Sequence, residues 1–304
     1  MCKISIIIPN YNHAAFLDKR LESIFNQTFQ DFEIILLDDC STDDSVKILS
    51  QYAKYQKVSH FIINETNSGS PFKQWQKGID LARGEYIWIA ESDDVAHPKF
   101  LEKVIQHTYK SGLVYSQTYD INDNATKFHD RIHYTEEFQD NIWESSFDMN
   151  GVSFITDYLL VKNVIPNASA VIFKKELINE FSFSDELLQM KMCGDWLFWI
   201  NICYQTNVYF VSEHLNYFRN HQYTSRIHNS IEKKKRRLIE ESTLRTLMNN
   251  ELNLKNKAKD LELLKKWFKY FKIDNIFSSD FESIRLKHQS WLYFYFIYFK
   301  IKFK

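Results

Sequence analysis

Short apolar runs that alternate with stretches of helical spacing constrain this chain more than any other feature. The runs are Ile4 to Ile8, Glu33 to Leu37, Val58 to Ile63 and Glu85 to Ala90, and their length and β-branched content predict buried strands. Between them Phe16, Leu17, Leu21, Ile24 and Phe25 recur at helical spacing, as do Val46, Ile48, Leu49 and Tyr52, and then Phe72, Trp75, Ile79 and Ala82. Strand, helix, strand in this order predicts an α/β fold whose sheet is mostly parallel, with right-handed crossovers and flanking helices.

The punctuation says where the strands end. Ser41-Thr42-Asp43-Asp44 is expected to cap the second helix, which puts Asp38 and Asp39 at the carboxyl end of a strand. His97-Pro98 is expected to open another helix, so Glu91-Ser92-Asp93-Asp94 becomes a strand-to-helix loop. Ligands of open parallel sheets sit beyond the carboxyl ends of the strands, and both acidic clusters are therefore expected to face one crevice. Residues 120 to 150 are polar and read as a loop-rich insertion, Asn167 to Lys174 as a strand, and Cys193 to Tyr204 as an apolar helix opening on Gly194-Asp195.

Beyond about Thr224 the chain has no Gly or Pro and turns to Lys-, Glu- and Leu-rich helices. We place a boundary there: 1–225 as the catalytic domain, in halves of about 1–119 and 120–225, and 226–304 as a helical C-terminal extension. Hydrophobic residues at 44% and charged residues at 25% are ordinary globular proportions. Lys and Arg (38) nearly cancel Asp and Glu (39), so no general attraction to nucleic acid is expected. Cys2, Cys40, Cys193 and Cys203 lack C-x-x-C spacing, against a zinc site or disulfide framework. The N-terminus lacks a signal-peptide core and no apolar run is long enough to span a bilayer, so the active site is expected to be cytoplasmic.

Three carboxylates within Glu91-Ser92-Asp93-Asp94 repel one another unless something compensates them. A divalent cation would do so, with Mg²⁺ or Mn²⁺ keeping waters and taking further oxygens from a substrate diphosphate; a solvated helix cap is the competing reading. Pro9-Asn10-Tyr11-Asn12 follows the first strand, where an aromatic ring and amides could meet a nucleobase or simply build a turn. Asp39 could accept from a base or ribose, or cap a helix. Asp195 opens an apolar helix, where desolvation raises a carboxylate pKa and the helix N-terminus opposes the rise.

In combination, Ile6 to Asn12, Leu37 to Asp43 and Gly84 to Asp94 closely resemble the family 2 glycosyltransferases of GT-A fold, a Rossmann-like α/β architecture. Gly194 to Trp199 and Leu215 to His221 look like that family's downstream motifs, so the resemblance covers roughly residues 3 to 225. It implies an inverting, metal-dependent hexosyl- or N-acetylhexosaminyltransferase using a nucleotide-diphosphate sugar, a UDP-sugar by preference. The acceptor implied is a saccharide or lipid-linked saccharide in surface polysaccharide or glycolipid synthesis. It also implies roles: Asp195 as catalytic base; Pro9, Tyr11, Asn12, Asp39, Glu91, Ser92, Asp93 and Arg219 on the donor; Asp93 and His221 on the metal. The chain departs from the family's D-x-D element at its first position, where Glu91 is one methylene longer than Asp.

Two other function classes compete. A non-catalytic nucleotide-sugar or glycan-binding module would keep the donor pocket, and a sugar-nucleotidyltransferase would want a glycine-rich loop where Pro9 to Asn12 has no glycine. The tail, Trp291 to Phe299 followed by Lys300, Lys302 and Lys304, supports two readings of residues 287–304. One is peripheral contact with the inner face of the cell membrane; the other is a terminal helix docked on the protein or on a second copy in a homo-oligomer. Lys233 to Arg237 reads as a solvated helix face.

Overall fold

The computed structural model describes residues 2–165, 167–220, 230–284, 286 and 290–303. The strands are β1 (Ile4–Asn10), β2 (Phe32–Asp38), β3 (Val58–Ile63), β4 (Tyr86–Ile89), β5 (Val95–Ala96), β6 (Leu113–Ile121), β7 (Lys127–Asp130), β8 (Phe147–Met149), β9 (Val171–Lys174) and β10 (Val208–Arg219). The helices are α1 (Ala14–Phe25), α2 (Ser45–Tyr52), α3 (Pro71–Leu81), α4 (Phe100–Ile105), α5 (Gly151–Phe154), α6 (Asp185–Gln189), α7 (Gly194–Cys203), α8 (Ile231–Leu252), α9 (Lys257–Phe268) and α10 (Trp291–Lys302).

The strands join one sheet in the order β3-β2-β1-β4-β9-β6-β10-β5, with β7 on β6 and β8 on β10. From β3 to β4 the pairing is parallel; β9 then runs antiparallel between β4 and β6, and β6 and β10 are parallel again. β1 is buried along its whole length because both faces are covered. Ile6, Ile8, Ile34 and Leu36 join one core with α1, α2 and α4, while Ile7, Ile35 and Leu37 point the other way toward α3 and α7. This is why the first strands read as continuous apolar runs.

Several local expectations change. The stretch from 120 to 150 carries the end of β6, then β7 and β8, because its polar residues alternate along short edge strands. The helix expected from Pro98 begins at Phe100, after a short strand at Val95–Ala96 that pairs with β10. Ser169 lies in a 3-10 turn, and the strand foreseen from Asn167 starts at Val171. Around Ser41 to Asp44 no side chain caps α2 from the N-cap position; Asp43 instead accepts the Ser45 amide at 3.0 Å.

The C-terminal helices divide between two cores. Leu244 and Met248 of α8 pack into the same core as α3 and α7. Leu238, Trp267, Phe268, Phe281 and Tyr298 form a separate aromatic cluster between α8, α9 and α10. Among the described residues no helix is long and apolar enough to cross a membrane.

Candidate active site

The site begins where β1 and β2 end. Asp38 is buried and accepts Asn10 Nδ2 at 2.8 Å, Ser41 N at 2.8 Å and Ser41 Oγ at 2.7 Å, tying the two strand ends together. Asn12 adopts φ 55°, which Asn tolerates, and its Oδ1 accepts the Thr42 amide at 2.7 Å. Tyr11 is thereby held on a braced bend with 46% of its surface exposed. Pro9 is buried within β1, paired with Leu37. The pairing of β1 with β4 stops at Ile7, so the N–H that Pro9 lacks leaves no ladder bond unmade on that side.

Asp39 follows β2 and is buried. Its Oδ1 accepts Asn64 Nδ2 at 2.6 Å, Ser68 N at 2.9 Å and Gln74 Nε2 at 2.9 Å; Oδ2 accepts Ser68 Oγ at 2.8 Å and keeps acceptor capacity for a ligand N–H or O–H. A carboxylate held by this many donors has a set direction.

The acidic loop follows β4. Glu91 Oε1 accepts Trp75 Nε1 at 2.9 Å, and Ser92, buried, bonds His13 Nδ1 through Oγ at 2.8 Å. Asp94 is fully buried and accepts Asn167 Nδ2 at 2.6 Å and the Arg219 amide at 2.9 Å. Burial, with Asp93 and Asp94 beside it, pushes Glu91 up to about 8. Burial and Asp93 likewise push Asp94 up to about 7, with Arg20 opposing. Arg20, completely buried on α1, lies 5.0 Å from the Trp88 ring and donates to Ser169 Oγ at 3.3 Å. Burial lowers its pKa to about 10 against the pull of Asp94, Asp93 and Glu91, so it stays charged at neutral pH beneath the loop.

Arg219 braces this loop. Its Nε donates to the Asp93 carbonyl at 2.7 Å and its Nη1 to the carbonyls of Asn122 and Asp123 at 2.6 and 2.7 Å. Backbone carbonyls thus hold Nε and Nη1, while Nη2 is buried and has no hydrogen-bond partner among the described residues. His221 lies outside the described residues.

Asp195 sits in the first turn of α7, where Oδ2 accepts Asn163 Nδ2 at 3.0 Å and Oδ1 accepts the Trp196 amide at 2.8 Å. The first turns of α3 reach all these parts. Gln74 holds Asp39, Trp75 holds Glu91 and packs edge-on against Phe198 of α7 at 5.5 Å, and the Phe72 ring lies against Gly194, where an added Cβ would come within 2.3 Å. One short helix therefore positions the ends of β2 and β4 and the start of α7.

Among the described residues no group of three or more His, Cys, Asp and Glu side chains is arranged to hold an ion. A cation that keeps waters and takes diphosphate oxygens needs fewer protein ligands, and burial together with neighbouring carboxylates disfavours the charged forms of Glu91 and Asp94, a cost a cation at the loop would offset. That donor set suits such a hard cation.

His13, Arg20, Gln74, Trp75 and Asn163 were not foreseen as parts of the site. Gln74 and Trp75 sit in a stretch whose spacing announces only a core-facing helix. A Trp or Gln one turn into a helix that starts near a strand end was the available signal.

The model for "Glycosyl transferase family 2" matches residues 5–173, which hold β1, β2, β4 and the acidic loop. The chain belongs to glycosyltransferase family 2. A relative from Streptococcus pneumoniae, "Glycosyltransferase GlyG", is 28% identical over 198 residues, or 60% of this chain and 60% of that one, so the match spans less than two thirds of GlyG. Staphylococcus aureus TarS in complex with UDP-GlcNAc superposes with TM-score 0.62 at 19% identity, covering 90% of this chain and 75% of that one. The mannosyltransferase PcManGT from Pyrobaculum calidifontis, in complex with GDP-Man and Mn²⁺, gives TM-score 0.52 at 13% identity, covering 80% and 63%. These likenesses establish the GT-A fold for this family 2 chain.

Proposed function

We propose that this chain transfers a sugar from a nucleotide-diphosphate donor, of the UDP type, to an acceptor hydroxyl with inversion at the anomeric carbon. The observation that carries the reading is the arrangement around α3, whose Phe72, Gln74 and Trp75 hold the start of α7, Asp39 and Glu91 in one neighbourhood. Exposed Tyr11 stacks on the base, and Asp39 Oδ2 accepts from its ring N–H. Asp93 would hold a divalent cation, Mn²⁺ or Mg²⁺, which would neutralise charge on the diphosphate leaving group. TarS with UDP-GlcNAc and PcManGT with GDP-Man and Mn²⁺ are chemically consistent precedents on this fold.

In the reaction, Asp195 takes the proton of the acceptor hydroxyl as its oxygen bonds to the anomeric carbon. The bond from that carbon to the β-phosphate oxygen breaks, and the nucleoside diphosphate leaves with the electron pair. The Asn163 amide and the Trp196 N–H fix both oxygens of Asp195, so the carboxylate is aimed before substrate arrives. A base so placed contributes about 10² to 10⁴ in rate. The acceptor is a saccharide or lipid-linked saccharide.

The roles separate by mutation. Thermal stabilisation by a panel of nucleotide sugars with Mn²⁺ follows donor affinity. Asp93→Ala should lose the metal-dependent stabilisation, while Asp195→Asn should keep it and lose transfer; the reverse pattern refutes the assignment.

A further inference from the structure

The last helix is apolar on two opposite faces, and among the described residues only one of them has a partner. Phe294, Ile297 and Tyr298 of α10 are buried against α9 and the segment around Phe281. The other face carries Leu292, Phe296, Phe299 and Phe303, which are 86, 58, 40 and 72% exposed. Spaced at i, i+4, i+7 and i+11, they form one stripe at about 3.6 residues per turn. Such a stripe on a folded protein marks a surface that meets something.

Its borders indicate what. On the helical wheel Lys300 flanks one side of the stripe and Lys302 the other. The ammonium groups lie 5.8 Å from the Phe296 and Tyr298 rings respectively, with their stems along aromatic surface. No acidic residue lies on α10. A second copy pressed against this face would bring lysine toward lysine with no carboxylate on the helix to pair them, and lysine is depleted from protein–protein interfaces. Anionic headgroups above an apolar acyl boundary match both the stripe and its edges.

We propose that α10 is a membrane-docking helix, lying in the plane of an anionic lipid surface with Leu292, Phe296, Phe299 and Phe303 inserted and Lys300 and Lys302 at headgroup level. Exposed Phe277, whose ring neighbours Tyr295 at 6.0 Å, extends the inserting surface. The opposite face stays packed on α9, so the helix anchors the whole folded chain and not a free tail. This inference is independent of the donor and acceptor proposed above.

The test is flotation of the full chain with vesicles of phosphatidylcholine alone and of an equimolar mixture with phosphatidylglycerol, at low and high salt. The chain should float with the anionic vesicles, less at high salt, and weakly with phosphatidylcholine. Phe296→Ser with Phe299→Ser should cut binding at least tenfold, and Lys300→Gln with Lys302→Gln should weaken it about fivefold per lysine while removing the salt dependence. The lysine pair leaves every buried contact in place and decides the matter if the aromatic pair misfolds. Failure to float with anionic vesicles, or equal flotation of the variants and the parent, overturns the proposal. So does a dimer in lipid-free solution that the aromatic pair converts to monomer.

Discussion

Glu240 on α8 accepts the amide N–H of Cys193, the residue that leads into α7, at 3.0 Å through Oε2. The same carboxylate takes the amides of Lys191 and Met192 at 3.0 and 2.8 Å, so the loop before Asp195 hangs from the C-terminal helices. Arg237, one turn earlier on α8, reaches Cys193 Sγ at 2.7 Å and its guanidinium lies 5.6 Å from the centre of the Trp196 ring. The extension is thus part of the frame of the candidate base. Glu240→Ala should cost about 2–3 kcal/mol, since three N–H groups lose a charged acceptor. It should also lower kcat by about tenfold with donor KM nearly unchanged, because the displaced group is Asp195 and not the donor cradle. Glu240→Gln should recover part of both. Steady-state kinetics beside thermal melts decide this: a destabilised Ala variant with intact kcat removes the positioning role.

That relationship shows what could be read from the residues and what could not. β1, β2 and β4 were legible because they are covered on both faces, which writes an unbroken apolar run into the chain. The positions of Asp39 and the Glu91 to Asp94 loop just past the carboxyl ends of β2 and β4 were legible because the apolar runs stop there and polar residues follow. The insertion of β9 between β4 and β6 was not, since choice of strand partner is a long-range decision that local periodicity does not encode. Burial of the Arg219 guanidinium was hidden for the same reason: its carbonyl partners lie some hundred residues earlier in the chain. Glu240, likewise far from Cys193 in the chain, looked like one more charged residue on a surface helix.

Acid stability should depend on Glu33. Its side chain is 5% exposed, and although burial raises its pKa, hydrogen bonds from Ser5 Oγ and then from the Arg83 side chain and amide bring it down to about 2. A carboxylate depressed in the fold contributes stability above its unfolded value of 4.5 and loses it as pH falls from there toward about 2. The contribution at neutral pH is about 2 kcal/mol, discounted because Arg83 is largely solvated. The melting-temperature gap between the parent and Glu33→Gln should be widest near neutral pH and close as the solution is acidified. A gap that stays constant down to that range would contradict the assignment.

Gly194→Ala should separate α3 from α7. The added methyl would lie 2.3 Å from Phe72 Cε2, and Phe72 cannot move freely because its ring sits edge-on to Trp75 at 5.0 Å. Overpacking of this kind costs about 1–3 kcal/mol. Shifted apart, the two helices would displace Asp195 relative to Glu91, so transfer should fall at least severalfold while donor-induced thermal stabilisation persists. Wild-type turnover in this variant would show that the spacing of α3 and α7 does not matter.

The buried charge of Arg20 offers the most direct probe of the acidic loop. Its guanidinium supplies a fixed positive charge beneath Asp94, Asp93 and Glu91, and among the described residues its Nε and Nη1 have no hydrogen-bond partner. Arg20→Met keeps much of the volume and removes the charge, leaving buried carboxylates without their internal counter-ion. Breaking a buried charge network from one side costs about 3–5 kcal/mol. An added divalent cation can restore part of that balance, and the variant should therefore gain more melting temperature from Mn²⁺ than the parent does. Equal Mn²⁺ response in the two proteins would mean that Arg20 does not share the charge-balancing role with a metal, and that the loop is neutralised from its solvent side alone.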